Sequence, residues 1–305
     1  MQAQIIDFDR GDQLLDWAEL GAAFERGHLL PRAEITDSFL YRGQDTLLNR
    51  AAWIDGLGLA VKSATVFPGN PAQGHPMVNG GLSLFDDQTG ALSAIIDFHL
   101  VTKWKTAGDS VFAAKRLARA DSQRILIVGA GTVGHSLYQA YGAMFPDAQI
   151  AVWNRTGSKA DDLATLCPGL QVERDLPDAV GRADIICCAT MSTNPVLRGE
   201  WLRPGQHIDA IGAYRPDMRE LDDAALTRGR LFVDSYATTL DHIGELKIPL
   251  AEGTITRADV LADYYDLANM TRRSDDDITI FKNGGGAHLD LMTSAYILDR
   301  WNSAG

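Results

Sequence analysis

Gln123-Arg-Ile-Leu-Ile-Val-Gly-Ala-Gly-Thr-Val-Gly-His135 reads as a strand that runs into a glycine-rich turn and then a helix. Ile125–Val128 is a short apolar, β-branched run, as a buried parallel strand requires. Gly129, Gly131 and Gly134 follow at G-x-G-x-x-G spacing. The first glycine allows a sharp turn, the second removes a side chain where a pyrophosphate must approach, and the third lets the helix pack on the strand. Thr132 and Val133 open the helix, whose free N–H groups and partial positive charge suit phosphates. A second apolar strand, Ile150-Ala-Val-Trp153, lies at βαβ distance. An NAD site usually carries Asp or Glu after that strand. Here the residues are Asn154, Arg155 and Thr156. Arg attracts a 2′-phosphate that an acid would repel, and Asn and Thr can hydrogen-bond it. The stretch therefore predicts a dinucleotide site with NADP(H) favoured and NAD(H) possible.

A chain of 305 residues is long enough for two domains. Its net charge of −12 argues against nonspecific nucleic-acid binding, although a few local cations can still govern an anionic pocket. The cysteines, Cys167, Cys187 and Cys188, form neither a disulfide framework nor C-x-x-C, which fits a reducing cytoplasm. The start, Met1-Gln-Ala-Gln-Ile-Ile-Asp-Phe-Asp-Arg10, lacks a basic region followed by an apolar one, so no signal peptide is expected. No apolar run reaches membrane-spanning length. The histidines show no H-x-x-x-H or H-E-x-x-H spacing, and no metal site is expected. Gly-x-Ser-x-Gly, the mark of a serine hydrolase, is absent.

Before the central stretch, residues 11–26 carry a helical apolar stripe with Gly27 as its stop. Residues 38–67 alternate strands and turns, clearest in Phe39–Arg42 and Gly58–Phe67. Gly81–Phe85 and Ala91–Ile96 flank Asp86-Asp-Gln-Thr-Gly90 as a hairpin, and Thr102–Ala120 reads as a long helix. From Asp121 onward strands and helices alternate, with strands at 125–128, 150–153, 184–189, 207–211 and 230–233. Helices fall at 132–144, 157–166 and 220–228. This is an α/β pattern, a doubly wound parallel Rossmann sheet. Helices are also expected at 256–268 and 288–302, the latter returning to the first domain. The predicted organisation is a mainly β domain of residues 1–120 plus about 286–305, with a Rossmann domain of 121–285 inserted. Thr190, after the strand ending in Cys187-Cys188, sits in a polar loop at the carboxyl edge, beside the cofactor.

A nicotinamide enzyme needs few protein groups, because the cofactor carries the reducing equivalent. Arg42, Lys62 and Lys105 are candidates to hold and polarise a substrate. Arg42 and Lys62 lie in apolar strand contexts, where a charge is costly without a partner. Arg suits a carboxylate, and a lysine among other cations can serve as a proton donor. The alternative is that these are strand-edge charges reaching solvent. His75 and His99 could approach the pocket.

Several segments together resemble the ornithine cyclodeaminase/mu-crystallin family. They are Tyr41-Arg-Gly43, Lys62-Ser-Ala-Thr-Val-Phe-Pro-Gly-Asn70, Leu84-Phe-Asp-Asp-Gln-Thr-Gly90, Thr102-Lys-Trp-Lys-Thr-Ala107, Gly129-Ala-Gly131, Gly212-Ala-Tyr-Arg-Pro-Asp-Met-Arg-Glu-Leu221, Val233-Asp-Ser235 and Gly285-Gly-Ala-His-Leu-Asp290. They occur in family order over nearly the whole chain. The resemblance implies a homodimer built through the N-terminal domain, with an active site between that domain and the Rossmann domain. It also implies that Arg42 and Lys62 hold the substrate carboxylate, with Lys62 as proton donor to a bound imine. Lys105 stands where the family has Arg in R-T-A-A; Thr106 follows it, at the cofactor. Asp290 matches an acidic residue near the cofactor end of the pocket.

Tyr214 occupies the position of the essential Asp of the cyclodeaminases. The loop is instead similar to the ketimine-reductase form, G-A-x-R-P-D-x-R-E-L. The resemblance therefore implies NAD(P)H-dependent reduction of a small imino acid or cyclic ketimine carboxylate, such as Δ1-pyrroline-2-carboxylate, to an L-amino acid. The alternatives are reductive amination of a keto acid or iminosuccinate reduction, a cyclodeaminase-type lyase, and a non-enzymatic NADPH-binding crystallin-like protein.

Overall fold

The computed structural model describes residues 3–305; Met1 and Gln2, where the signal-peptide reading begins, lie outside the described residues. The chain divides into two compact units, Met1–Lys105 with Gly285–Gly305, and Thr106–Gly284. The division falls inside one helix rather than after it.

The first unit contains β1 (Gln4–Ile6), α1 (Phe8–Asp12), α2 (Trp17–His28), β2 (Glu34–Arg42), β3 (Asp45–Ile54), β4 (Gly58–Val66), β5 (Val78–Phe85) and β6 (Leu92–Asp97). The strands form one sheet in the order β1-β6-β5-β4-β3-β2. Only β1–β6 is a parallel pair; the others are antiparallel. Side chains alternate between faces, so register fixes which residues share a face. One cross-strand row runs Asp37, Arg50, Lys62, Leu82, Ile96, Ile6. This row lies on the face against which the last helix packs.

The stripe at 11–26 is two helices, not one. Asp16 breaks it by capping α2, accepting from the Ala18 and Glu19 N–H groups at 2.8 and 3.0 Å. Gly27 is not the stop either. It lies within α2, and a Cβ there would fall 2.6 Å from Met292 Sδ, so its role is close helix packing.

The helix α3 (Phe98–Leu117) carries the division between the units. The second unit continues with β7 (Arg124–Val128), α4 (Thr132–Met144), β8 (Gln149–Trp153), α5 (Gly157–Leu166), β9 (Gln171–Val172), α6 (Leu176–Arg182), β10 (Ile185–Cys188) and β11 (His207–Ala210). It ends with α7 (Asp223–Arg228), β12 (Arg230–Val233), α8 (Tyr236–Thr239), α9 (Gly244–Glu252), β13 (Val260–Ala262) and β14 (Thr279–Lys282). All eight strands are parallel, in the order β13-β12-β14-β11-β10-β7-β8-β9. The order reverses between β7 and β10, the switch point where doubly wound sheets bind ligands at their carboxyl edge.

The helix expected at 256–268 is absent. Thr256 and Asp259 close a capping box over a single 3₁₀ turn, Val260–Ala262 then pairs with β12, and Asp263 caps another 3₁₀ turn. Local capping and strand pairing override the apolar spacing there. The final helix, α10 (Ala287–Ala304), packs in the first unit on α2, β3 and β4. The fold is therefore a doubly wound Rossmann sheet inserted into a mainly β unit that the C-terminal helix completes.

Candidate active site

Lys62 sits mid-strand in β4 on the buried face of the first sheet, and Asp290 in the first turn of α10. Lys62 Nζ donates to Asp290 Oδ1 at 2.9 Å, and both side chains are nearly inaccessible, at 7% and 2%. Asp290 Oδ2 is buried without a hydrogen-bond partner. The ammonium also lies 4.8 Å from the centre of the Phe98 ring. Lys105 is buried as well and donates to the Gly285 carbonyl at 3.2 Å.

Burial and neighbouring charge set the electrostatics of this group. Burial drives the Lys62 ammonium down to about 8; Asp290 opposes this, while Lys105 and Arg50 push it further down. Burial alone would raise the Asp290 carboxyl, but Lys62, Lys105 and Arg50 outweigh it and hold it below the ordinary range. The group thus combines a lysine able to exchange a proton near neutrality with an excess of buried positive charge. An anionic substrate suits both properties.

Arg50 is the member that sequence reasoning missed. It pairs across the ladder with Lys62 and with Asp37, and so shares their face. Its guanidinium binds Asp37 at 2.8 Å and the Gly285 carbonyl at 2.9 Å. The signal was a charge inside Leu47-Leu-Asn-Arg-Ala-Ala-Trp53, the same signal that singled out Lys62.

Arg42 is not brought to this group. It ends β2, pairs with Asp45 at 2.8 Å and leaves 79% of its side chain exposed. By strand alternation, Asp45 and its partner Arg42 fall on the face opposite Arg50 and Lys62. The carboxylate pair expected of Arg42 and Lys62 therefore does not assemble within this chain. His75 and His99 are exposed.

In the second unit the glycine turn has the expected construction. Gly129 has φ 123°, which a side chain would strain, and a Cβ on Gly134 would fall 2.3 Å from the Gly129 carbonyl oxygen. A Cβ on Gly131 would meet nothing within 4 Å, and no side chain caps the N-terminus of α4. The turn thus offers uncapped N–H groups beneath open space, which fits a phosphate-bearing dinucleotide. Asn154 joins this turn to the loop after β8: Oδ1 accepts from the Ala130 N–H at 3.1 Å, and Nδ2 donates to the Thr156 carbonyl at 2.9 Å. An Asp could make the first bond but not the second. Arg155 and Thr132 are exposed, and Val133 is half-buried.

Thr190 follows β10 and gives both its N–H and its hydroxyl to Glu220. The Thr106 carbonyl accepts from Asn283 at 3.0 Å. Gly284 is closely packed: a Cβ there would lie 2.8 Å from Asp234 Oδ1. Cys187 and Cys188 are wholly buried in β10, and burial pushes both thiols up, so they pack rather than react. Among the described residues no cluster of His, Cys, Asp and Glu could hold a metal ion, and no helix is long and apolar enough to cross a membrane.

Fold and site define a two-unit α/β protein, with a Rossmann dinucleotide-type sheet and a separate sheet bearing a buried lysine–carboxylate centre. The chain belongs to the ornithine cyclodeaminase/mu-crystallin family, whose model matches residues 53–305. It is 50% identical over 302 residues to the Δ1-pyrroline-2-carboxylate reductase of Paracoccus denitrificans, covering 96% of each chain. The structure of Thermococcus litoralis Δ1-pyrroline-2-carboxylate reductase in complex with NADH and L-proline superposes with a TM-score of 0.90 at 26% identity, over 99% of this chain and 98% of that one. An archaeal alanine dehydrogenase dimer with bound NAD also gives 0.90, at 27% identity over 100% and 97%.

Proposed function

We propose that this chain is an NAD(P)H-dependent oxidoreductase that reduces the C=N bond of a small cyclic imino acid, foremost Δ1-pyrroline-2-carboxylate, to the L-amino acid. The observation that carries the reading is the 50% identity to a reductase of that substrate over almost the full length of both chains. The Lys62 centre supports it chemically. Reduction of an imine needs a proton on nitrogen and an anchor for the carboxylate. Lys62 holds the proton at the imine nitrogen, and its cation acts most strongly on the polarised C=N of the transition state. Asp290 fixes the Lys62 ammonium and keeps it charged. Lys105 anchors the carboxylate as a point charge, without the fork an arginine would provide. Arg50 adds to the positive field from the same sheet face. Arg42, exposed and on the other face, is assigned no part.

Gly129, Gly131, Thr132, Val133 and Gly134 hold the pyrophosphate, with Asn154 setting the turn and Thr190 and Thr106 toward the cofactor. The bound nicotinamide supplies the reducing equivalent. NADP(H) is the preferred form, since Arg155 stands where an acid would repel the 2′-phosphate. A homodimer is the expected assembly and the cytoplasm the expected location. Apolar side chains on the sheet face turned away from α10, including Ile95, Val61 and Trp53, are exposed at 45%, 37% and 48%, as a covered interface would require.

The test is a substrate panel with both NADPH and NADH. Oxidation of the reduced cofactor with Δ1-pyrroline-2-carboxylate is expected, with NADPH favoured. Turnover only with pyruvate and ammonia would transfer the chain to reductive amination. Proline formed from ornithine without added reductant would make it a lyase.

A further inference from the structure

The buried ionic cluster of the second unit takes no part in the chemistry above. Glu220, Glu245 and Lys282 are almost wholly inaccessible, between 0% and 1%. Glu220 accepts with both oxygens. Oε1 receives the Thr190 N–H at 2.6 Å and its hydroxyl at 2.8 Å; Oε2 receives the Gly212 N–H at 2.6 Å and the Ala213 N–H at 3.3 Å. One carboxylate thus grips the loops that leave β10 and β11. Glu245 holds Glu220 in turn, accepting from the Glu220 and Leu221 N–H groups at 2.8 and 3.0 Å. Lys282 supplies the compensating charge and donates to the Ala210 carbonyl at the end of β11, at 2.8 Å.

The gripped loops are packed backbone to backbone. A Cβ on Gly212 would fall 1.9 Å from the Thr190 carbonyl oxygen, and one on Gly129 would fall 2.6 Å from that of Ala189. Packing of this kind needs no ions for stability: buried charges are costly, and apolar side chains hold loops at least as well. What a carboxylate adds is an acceptor-only group with two oxygens, able to satisfy four converging donors at once. These loops lie at the carboxyl edge beside the switch point, on the far side of the glycine turn from the adenosine end of βαβ.

We propose that Glu220 is a positioning residue for the nicotinamide half of the dinucleotide, holding the Thr190 and Gly212 loops in the arrangement that receives it. The assignment rests on the nicotinamide reading above. It separates the two halves of the ligand: Glu220 governs the nicotinamide end, while the glycine turn and the Asn154 loop govern the rest.

The test is calorimetric binding of NADH and of ADP-ribose, which lacks nicotinamide, to the full chain. Glu220→Gln puts an NH₂ group against donors and is expected to weaken NADH at least about tenfold while changing ADP-ribose by less than about twofold. Equal weakening of both ligands, or no change in either, would overturn the assignment. Glu220→Asp keeps the charge but is one methylene short of spanning both loops. It is expected to give the same split and answers the question should Glu220→Gln not fold; loss of both ligands alike in Glu220→Asp contradicts the assignment. Wild-type protein that binds NADH but reduces no imino acid contradicts the reductase reading alone, and the ligand pair still decides the role of Glu220.

Discussion

The proposed proton source for imine reduction, Lys62, is a lysine whose charge is contested. Burial lowers Lys62 to about 8 and Asp290 restrains the fall, so the protonated fraction drops as pH rises through that value. The kcat/KM for the imino acid is therefore expected to decline above about pH 8. Asp290→Asn removes the partner that raises Lys62 and should move this limb to lower pH; an unmoved limb would assign it to another group. Lys62→Met is expected to cost about 10²–10⁴ in kcat, the usual range for a positioned proton donor, with dinucleotide affinity retained. At this scale the sequence was half legible. Arg42 and Lys62 stood out as cations in apolar strand contexts, with Lys105 as a third candidate, but Arg50 was passed over, and composition cannot tell which cation shares a face with Lys62. Register decides it: Arg50 is the ladder partner of Lys62, and Arg42 pairs with Asp45 at the hairpin end. Arg50→Ala is thus expected to raise the imino-acid KM about tenfold, roughly 1.4 kcal/mol, and Arg42→Ala to leave it within about twofold. Steady-state kinetics on the pair separates them.

Among the elements, the turn between β7 and α4 was readable in its construction, because Gly129 and Gly134 answer local steric demands while Gly131 borders open space. Gly131 and Gly134 make a contrasting pair. A Cβ at Gly131 meets nothing, so Gly131→Ala should melt with the wild type yet bind dinucleotide about tenfold more weakly, a loss of roughly 1.4 kcal/mol. A Cβ at Gly134 meets the Gly129 carbonyl, so Gly134→Ala should cost about 1–3 kcal/mol of stability through overpacking. Thermal melts and calorimetry distinguish these outcomes; a Gly131→Ala protein with undiminished affinity would contradict the phosphate role of the turn. Where elements were misread, short-range capping was responsible. Asp16 divides an apolar stripe into two helices, and Thr256 with Asp259 stops a helix after one turn. Glu220 was invisible as a site residue. In sequence it is one acid in Arg219-Glu-Leu221, and its importance comes from two loops that only the parallel sheet brings together.

For the whole molecule, the switch from a mainly β segment to strict strand–helix alternation made the fold readable, with α10 returning to the first unit. The exposed face of the first sheet is the feature that composition could not reveal. Ile5 and Ile95 are ladder partners there, 76% and 45% exposed. If that face is the homodimer interface, sedimentation should give twice the chain mass of 33.1 kDa, and Ile95→Asp should shift the protein toward monomer. A wild-type monomer at micromolar concentration would contradict it. The central claim, reduction of a cyclic imino acid at carbon by a nicotinamide cofactor, is tested most directly by isotope transfer. With NADPH deuterated at the transferable position of its nicotinamide ring, Δ1-pyrroline-2-carboxylate should yield L-proline carrying one deuterium at Cα, in step with cofactor oxidation. Proline without the label, or no proline while cofactor is bound, would contradict it.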